Sequence, residues 1–247
     1  MDVFKQAQAS ILVRNMPDGQ RPDVTVLVPA LNEEETIAEV VERLLALRVS
    51  VEVIVIDDGS TDRTTEILKG YKDRIRILRN EERGGKGNAI RQALPFATGR
   101  ATIIQDADLE YFPEEIPMLI APILSGEANV VYGTRFAHGL PKDMALPNKI
   151  VNRLLAASVR ILFRSHMTDE ATCYKAFRTE LLNTFNLQCK RFEFCPEVTA
   201  KSLRRGEAIL EIPIRYVPRS KAAGKKIRWT DAPDAFWTLF KYRFAKF

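Results

Sequence analysis

The hydrophobic positions change period repeatedly along the chain. Val24-Thr25-Val26-Leu27-Val28 is β-branched and apolar on both faces until Pro29, the pattern of a strand covered on both sides. Between residues 33 and 47, Ile37, Val40, Val41, Leu44 and Leu45 recur at helical spacing. Asn32 stands where it could cap that helix, with Glu33, Glu34 and Glu35 facing the positive end of its dipole. Residues 51–56 read as a second strand ended by Asp57-Asp58-Gly59-Ser60, and residues 75–78 as a third. A short helix, capped by Thr61 or Asp62, joins them. Gly84-Gly85-Lys86-Gly87 is a turn before a helix over 88–97. Residues 101–105 form a strand that runs into Asp106-Ala107-Asp108. A helix over 113–124 and a strand over 129–133 follow. Strands alternating with helices predict an α/β fold, with helices covering a mostly parallel sheet.

The second half is less regular. Val151, Leu154, Leu155, Val159 and Leu162 predict a helix over 150–163. Another spans 196–205, closed by Gly206, and a strand spans 208–216. Three segments result: a polar N-terminal extension (1–22), one catalytic-sized domain (23–228) and an aromatic, basic tail (229–247). The tail sets Phe236, Trp237, Phe240 and Phe244 beside Lys241 and Arg243, so it reads either as core or as a face for a membrane surface.

Composition narrows the classes. Hydrophobic residues make up 46%, enough for a sizeable core, and the mixed charges argue against disorder. The net charge of +5 suits an anionic ligand, an acidic membrane or nucleic acid, and separates none of them. Three cysteines without CxxC spacing and only two histidines, His138 and His166, argue against a disulfide framework and a structural zinc site. No apolar run reaches about 18 residues, and the N-terminus lacks a signal-peptide pattern. The expected location is cytoplasmic, at most peripheral on the membrane face.

The chemistry concentrates at strand ends, where open parallel sheets bind ligands. Asp57-Asp58 and Asp106-Ala107-Asp108 put acidic groups on one edge. Clustered carboxylates repel one another, so a cation should compensate. Without a histidine or cysteine cluster, the natural candidate is a hard divalent ion, Mg²⁺ or Mn²⁺, completed by phosphate oxygens. The glycine turn is neither a Walker A motif nor a dinucleotide fingerprint. It is either a plain turn, or it brings Lys86 and a helix N-terminus to a nucleotide.

Four motifs in this order and spacing resemble family 2 GT-A glycosyltransferases. They are Pro29-Ala30-Leu31-Asn32-Glu33-Glu34, Asp57-Asp58-Gly59-Ser60-Thr61-Asp62, Gly85-Lys86-Gly87-Asn88-Ala89 and Asp106-Ala107-Asp108-Leu109. The sequence is most similar to the dolichyl- or polyprenyl-phosphate mannose and glucose synthase branch, across roughly residues 23–228. The resemblance implies the GT-A fold and a nucleoside-diphosphate sugar donor, GDP-mannose or a UDP-hexose. It implies that Pro29, Asn32 and Glu33 line the nucleoside pocket, and that Asp58 faces the base with Asp57 behind it. Asp106 would contact the ribose or the metal, and Asp108 would be the main metal ligand. Glu110 stands where most polyprenyl-phosphate synthases carry glutamine, and would add a third charged ligand. Arg135 would meet an acceptor phosphate. Arg219 and Lys225 would belong to a mobile loop closing over the diphosphate. Thr168 to Lys175 matches the acceptor-side loop in part, with Thr-Cys-Tyr in place of Ser-Gly-Phe.

The expected reaction is inverting displacement at the anomeric carbon, with the metal and the loop cations stabilising the departing diphosphate. A hydroxyl acceptor needs a base, for which Glu197 and Asp169 are the candidates, although Glu197 could equally serve only the helix dipole. A phosphate acceptor needs only cations, and Arg135 and Lys149 favour it. The expected partners are therefore the sugar nucleotide, a lipid phosphate, and a membrane surface or an integral membrane partner, with no nucleic acid. A sugar nucleotidyltransferase is disfavoured because Ala30-Leu31-Asn32-Glu33-Glu34 would repel a triphosphate. A non-catalytic module is disfavoured by the intact Asp-Ala-Asp.

Overall fold

The structure is a computed structural model and describes residues 21–137, 139, 144, 146–218 and 232–245. Arg219, Lys225, His138 and nearly all of the N-terminal extension lie outside the described residues.

β1 (Val24–Ala30) is the centre of the predicted parallel half, flanked by β2 (Val51–Asp57) and β4 (Ala101–Ile104), with β3 (Arg76–Arg79) outside β2. Register is tight: Val24 faces Val51, Ala30 faces Asp57, and Leu27 faces Ile104. Val24, Val26, Leu27 and Val28 are all fully buried, so one strand fills both faces of the core. Each such side chain contributes about 1.5–3 kcal/mol, and a one-residue slip would misplace every one of them. Parallel pairing also puts the carboxyl ends of β1, β2 and β4 on one edge, where the acidic motifs follow.

Beyond β4 the sheet departs from the expected pattern. Its seven-strand order is β3-β2-β1-β4-β6-β5-β7, with β5 (Val130–Thr134), β6 (Lys175–Arg178) and β7 (Ile209–Pro213). β6 runs antiparallel to both β4 and β5, and is the one reversed strand. The acceptor-side loop that the resemblance implies over 168–175 runs straight into this strand, which the apolar pattern does not reveal. Lys175 hides it: a lysine inside Tyr174-Lys175-Ala176-Phe177 breaks the apolar run, yet it is fully buried. Its ammonium donates to the Glu170 carbonyl at 2.7 Å and lies 3.6 Å from the centre of the Tyr132 ring. Burial pushes its pKa down.

The helices mostly follow the apolar stripes. α1 (Ile37–Leu45) buries Ile37, Val40, Val41 and Leu44. Asn32 does not cap it, because the helix begins five residues later. Asn32 takes a left-handed conformation (φ 52°), and its side-chain oxygen accepts the Thr61 amide at 2.8 Å. α2 (Thr64–Lys69), α3 (Lys86–Ala93) and α4 (Ile116–Ser125) follow β2, the glycine turn and β4. α5 (Leu146–Phe163), the short α6 (Thr179–Asn183), α7 (Phe194–Arg204) and α8 (Ala232–Phe244) complete the fold. α8, drawn from the aromatic tail, packs on α7 and α5 and buries Leu239 and Tyr242. Among the described residues no helix is long and apolar enough to cross a membrane.

Candidate active site

A cavity of about 480 Å³ opens at the carboxyl edge of the sheet. Pro29 near the end of β1 and Glu33 after it, Asp58 after β2, the turn 84–86, and Asp106 and Asp108 after β4 line it together. The carboxylates read from separate strand ends therefore converge. Arg135, α5, the segment 191–196 and the start of α8 complete the lining.

Asp57 and Asp58 do different work. Asp57 is fully buried and takes the Ser60 amide at 2.9 Å and the Thr65 hydroxyl, so it shapes the turn behind the cavity and does not line it. Asp58 lines the cavity but is also a tether. Its oxygens accept the Gly84 amide at 2.9 Å, the Gly85 amide at 2.7 Å and the Asn80 side chain at 2.8 Å. Gly85 has φ 92°, and a Cβ there would sit 2.5 Å from the Lys190 carbonyl, so only glycine fits.

Those contacts change the reading of the glycine turn. The Gly87 and Asn88 amides donate to the Arg191 and Lys190 carbonyls, each at 2.9 Å. Together with the two amides held by Asp58, four backbone donors around the start of α3 are already occupied, and the turn is not a bare phosphate cradle. The Lys86 side chain still reaches the cavity, where it pairs with Asp106. Burial works against its ammonium, but its neighbours, the Asp106 charge first among them, together hold the amine well above the ordinary lysine pKa. The cation demanded by the clustered carboxylates is thus supplied in part by the chain itself.

The three-ligand metal set Asp106, Asp108 and Glu110 is not assembled as a cage. Among the described residues no three histidine, cysteine, aspartate or glutamate side chains come together to hold a metal. Glu110 lines the cavity but accepts the Tyr216 hydroxyl at 2.9 Å, and its amide donates to Asp108 at 3.1 Å. The oxygen-only pair Asp106 and Asp108 still fits Mg²⁺ or Mn²⁺, which bind through one or two carboxylates and substrate phosphates rather than an all-protein cage.

On the acceptor side, both predicted bases are committed elsewhere. Asp169 is fully buried, does not line the cavity, and grips Arg135 through two 2.7 Å hydrogen bonds and the Arg135 amide at 3.0 Å. Glu211 fixes that loop by accepting the Thr168 and Asp169 amides. Glu197 points away from the cavity and is 1% exposed. It accepts Lys201 at 2.6 Å and the Gln188 and Cys189 amides at 2.8 and 2.7 Å. Burial would raise its pKa, but the Lys201 contact and these amides hold it below the ordinary value. A carboxylate tied up in this way is a poor base, and Glu197 is corrected to a structural anchor.

Arg135 does reach the cavity, with its guanidinium 5.0 Å from the Tyr216 ring centre. Asn148, Val151, Asn152 and Leu155 line the cavity from α5, whereas Lys149 sits on the adjoining helix face and does not. Asn32, exposed to solvent, does not line it either. The sequence reading missed Glu170 and Glu193, which both line the cavity. Burial pushes the Glu170 pKa up. Helical or strand periodicity could not have singled them out, since both lie in irregular segments.

Residues 25–185 match the family described as glycosyl transferase family 2. Among curated relatives, the chain is 26% identical to polyprenol monophosphomannose synthase of Mycolicibacterium smegmatis, over 87% of this chain and 86% of that one. It is 28% identical to glycosyltransferase AglD of Haloferax volcanii over 80% of this chain, yet spans only 33% of AglD's length. It spans 49% of the hexosyltransferase Agl6 of the same organism. Among solved structures, glucosyl-3-phosphoglycerate synthase of Mycobacterium tuberculosis, in complex with Mn²⁺, UDP and phosphoglyceric acid, superposes with a TM-score of 0.69. That overlap is at 23% identity and covers 92% of this chain and 80% of that one. The likeness supports the GT-A fold that the strand order describes. The family match runs from β1 past β6, well over half of the sequence, and on it the chain belongs to glycosyl transferase family 2.

Proposed function

We propose that this chain transfers a hexose, with inversion, from a nucleoside-diphosphate sugar to a polyprenyl phosphate. One observation carries the reading: Asp58, Asp106, Asp108 and the Arg135 cation line one cavity, while neither expected base reaches it. Pro29, Glu33 and Asp58 would border the nucleoside. Asp106 and Asp108 would hold a Mg²⁺ or Mn²⁺ whose charge neutralises the diphosphate. Arg135, kept rigid by Asp169, would orient the acceptor phosphate. A phosphate is ionised near neutral pH and attacks without losing a proton. Its oxygen forms a bond to the anomeric carbon as the bond from that carbon to the diphosphate oxygen breaks, and the electron pair leaves with the nucleotide. Arg219 and Lys225, outside the described residues, remain proposed partners for that leaving group. The names of the mannosyltransferase relatives support the lipid acceptor. The enzyme would then work peripherally, on the cytoplasmic face of a membrane.

A second reading has its own support. Glu170 and Glu193 line the cavity, and the raised pKa of Glu170 suits a general base for a hydroxyl acceptor. Purified protein supplied with GDP-mannose or UDP-glucose and Mn²⁺ separates the two. Product formed on a short-chain prenyl phosphate, and none on the matching prenol or a sugar hydroxyl, is the expected result. The reverse preference would overturn the phosphate-acceptor reading.

A further inference from the structure

The outer sides of α5 and α8 carry a run of large apolar side chains in water. On α5 these are Leu146 (68% exposed), Ile150, Leu154 and Ile161 (79%). At 3.6 residues per turn they fall within an arc of about 80°. On α8, Trp237 (63%), Phe240 and Phe244 follow the i, i+3, i+7 spacing of a single face. Their rings pack on one another, Trp237 on Phe240 at 6.0 Å and Phe240 on Phe244 at 5.1 Å. α5 and α8 pack side by side, and Arg243 of α8 donates to the Leu162 carbonyl of α5 at 2.6 Å.

The charged residues that α5 and α8 expose are mostly basic. α5 contains no acidic residue and exposes Arg153 and Arg160. α8 exposes Lys241 and Arg243, and its only acid, Asp234, sits in the first turn. At helical spacing Arg153 and Arg160 border one side of the α5 apolar stripe. An aromatic and aliphatic face with a basic rim matches a bilayer surface bearing anionic headgroups, with apolar groups at the acyl boundary and cations among the phosphates. The same two helices wall the cavity through Asn148, Val151 and Asn152 of α5 and Ala235 of α8. About one helix diameter, 10–12 Å, therefore separates the apolar face from the site.

We infer that the joint α5–α8 face seats the protein on an anionic phospholipid bilayer, which would present a lipid phosphate at the mouth of the cavity. The inference rests on the lipid-acceptor reading for its purpose, but not for its test. The full chain is sedimented with vesicles of phosphatidylglycerol and phosphatidylcholine, and with vesicles of phosphatidylcholine alone. Binding to the mixed vesicles, lost at high salt, is expected. Each cation at an anionic surface contributes about fivefold in partition. Arg153→Glu with Arg160→Glu should therefore weaken binding at least about tenfold. Trp237→Ser with Phe240→Ser should do the same while leaving transfer to a water-soluble short-chain prenyl phosphate unchanged.

Failure to bind the mixed vesicles, or binding indifferent to both double variants, overturns the inference. A concentration-dependent dimer that these variants abolish would assign the face to a second copy and overturn it as well. Vesicle binding that follows the variants, with no transfer to any lipid phosphate, would uphold the surface while sinking the acceptor reading.

Discussion

Asp58, Asp106 and Asp108 of the parallel half of the sheet and Asp169 and Glu197 of the region built around β6 are used in opposite ways. In the parallel half, Asp58, Asp106 and Asp108 leave the strand ends and reach the cavity. Around β6 and α7, Asp169 and Glu197 turn inward and are consumed by Arg135 and Lys201. Both regions pair carboxylates with buried cations, but only the first leaves such a pair, Asp106 with Lys86, on a wall a ligand can touch. A carboxylate at a strand end is thus informative where the register of the sheet points it, whereas an isolated acid on a helix is not.

Five measurements would break or sharpen that contrast. Asp108→Ala should lower transfer by about 10³-fold or more, the scale of removing transition-state charge stabilisation, with little change in the melting temperature. Retained activity would remove the metal assignment. Glu197→Ala should instead leave each folded molecule active while costing about 3–5 kcal/mol in stability, because it removes the carboxylate that balances the buried Lys201 ammonium and leaves it only the Phe185 and Asn186 carbonyls; urea titration reads this.

The Glu197 pair also has a pH signature. The folded pKa lies below the ordinary 4.5, so its stabilisation is fully present above that value and disappears as pH falls through the folded one. Glu197→Gln should flatten that acid limb in thermal melts, and an unchanged limb would count against the pair.

Lys86→Met frees Asp106 from its internal cation. Mn²⁺ binding without nucleotide should tighten about tenfold, or about 1.4 kcal/mol, in titration calorimetry. No change would mean that Lys86 and the ion do not compete for Asp106. The smallest effect is expected from Tyr216→Phe, which removes one hydrogen bond to Glu110 and should cost about 1 kcal/mol in chemical denaturation. A much larger loss of stability would give Glu110 a structural weight that its contacts do not indicate.

Much of the first region was legible from the chain. Apolar runs at 24–28, 51–56 and 101–105 marked the strands, and the acids that follow them had to share an edge once the sheet was parallel. Lys175 concealed β6, because a buried lysine satisfied by a carbonyl and an aromatic ring looks, in one dimension, like a surface residue. Glu197 misled for a related reason. Its place at the start of α7 suggested chemistry, while its partners, the amides of residues 188 and 189, belong to a loop whose path the sequence does not announce.

Local order along the chain determined the strands, the helices, the family and the acidic strand ends, because periodicity and motif spacing are properties of neighbouring residues. Only the tertiary structure decided which carboxylates face the cavity and which are spent on internal cations, that four amides around the start of α3 are already occupied, and that two helices distant in sequence pack together with apolar, basic-rimmed outer sides. Those outcomes depend on which side chains far apart in the chain meet, and on whether burial leaves a charged group with a partner or with none.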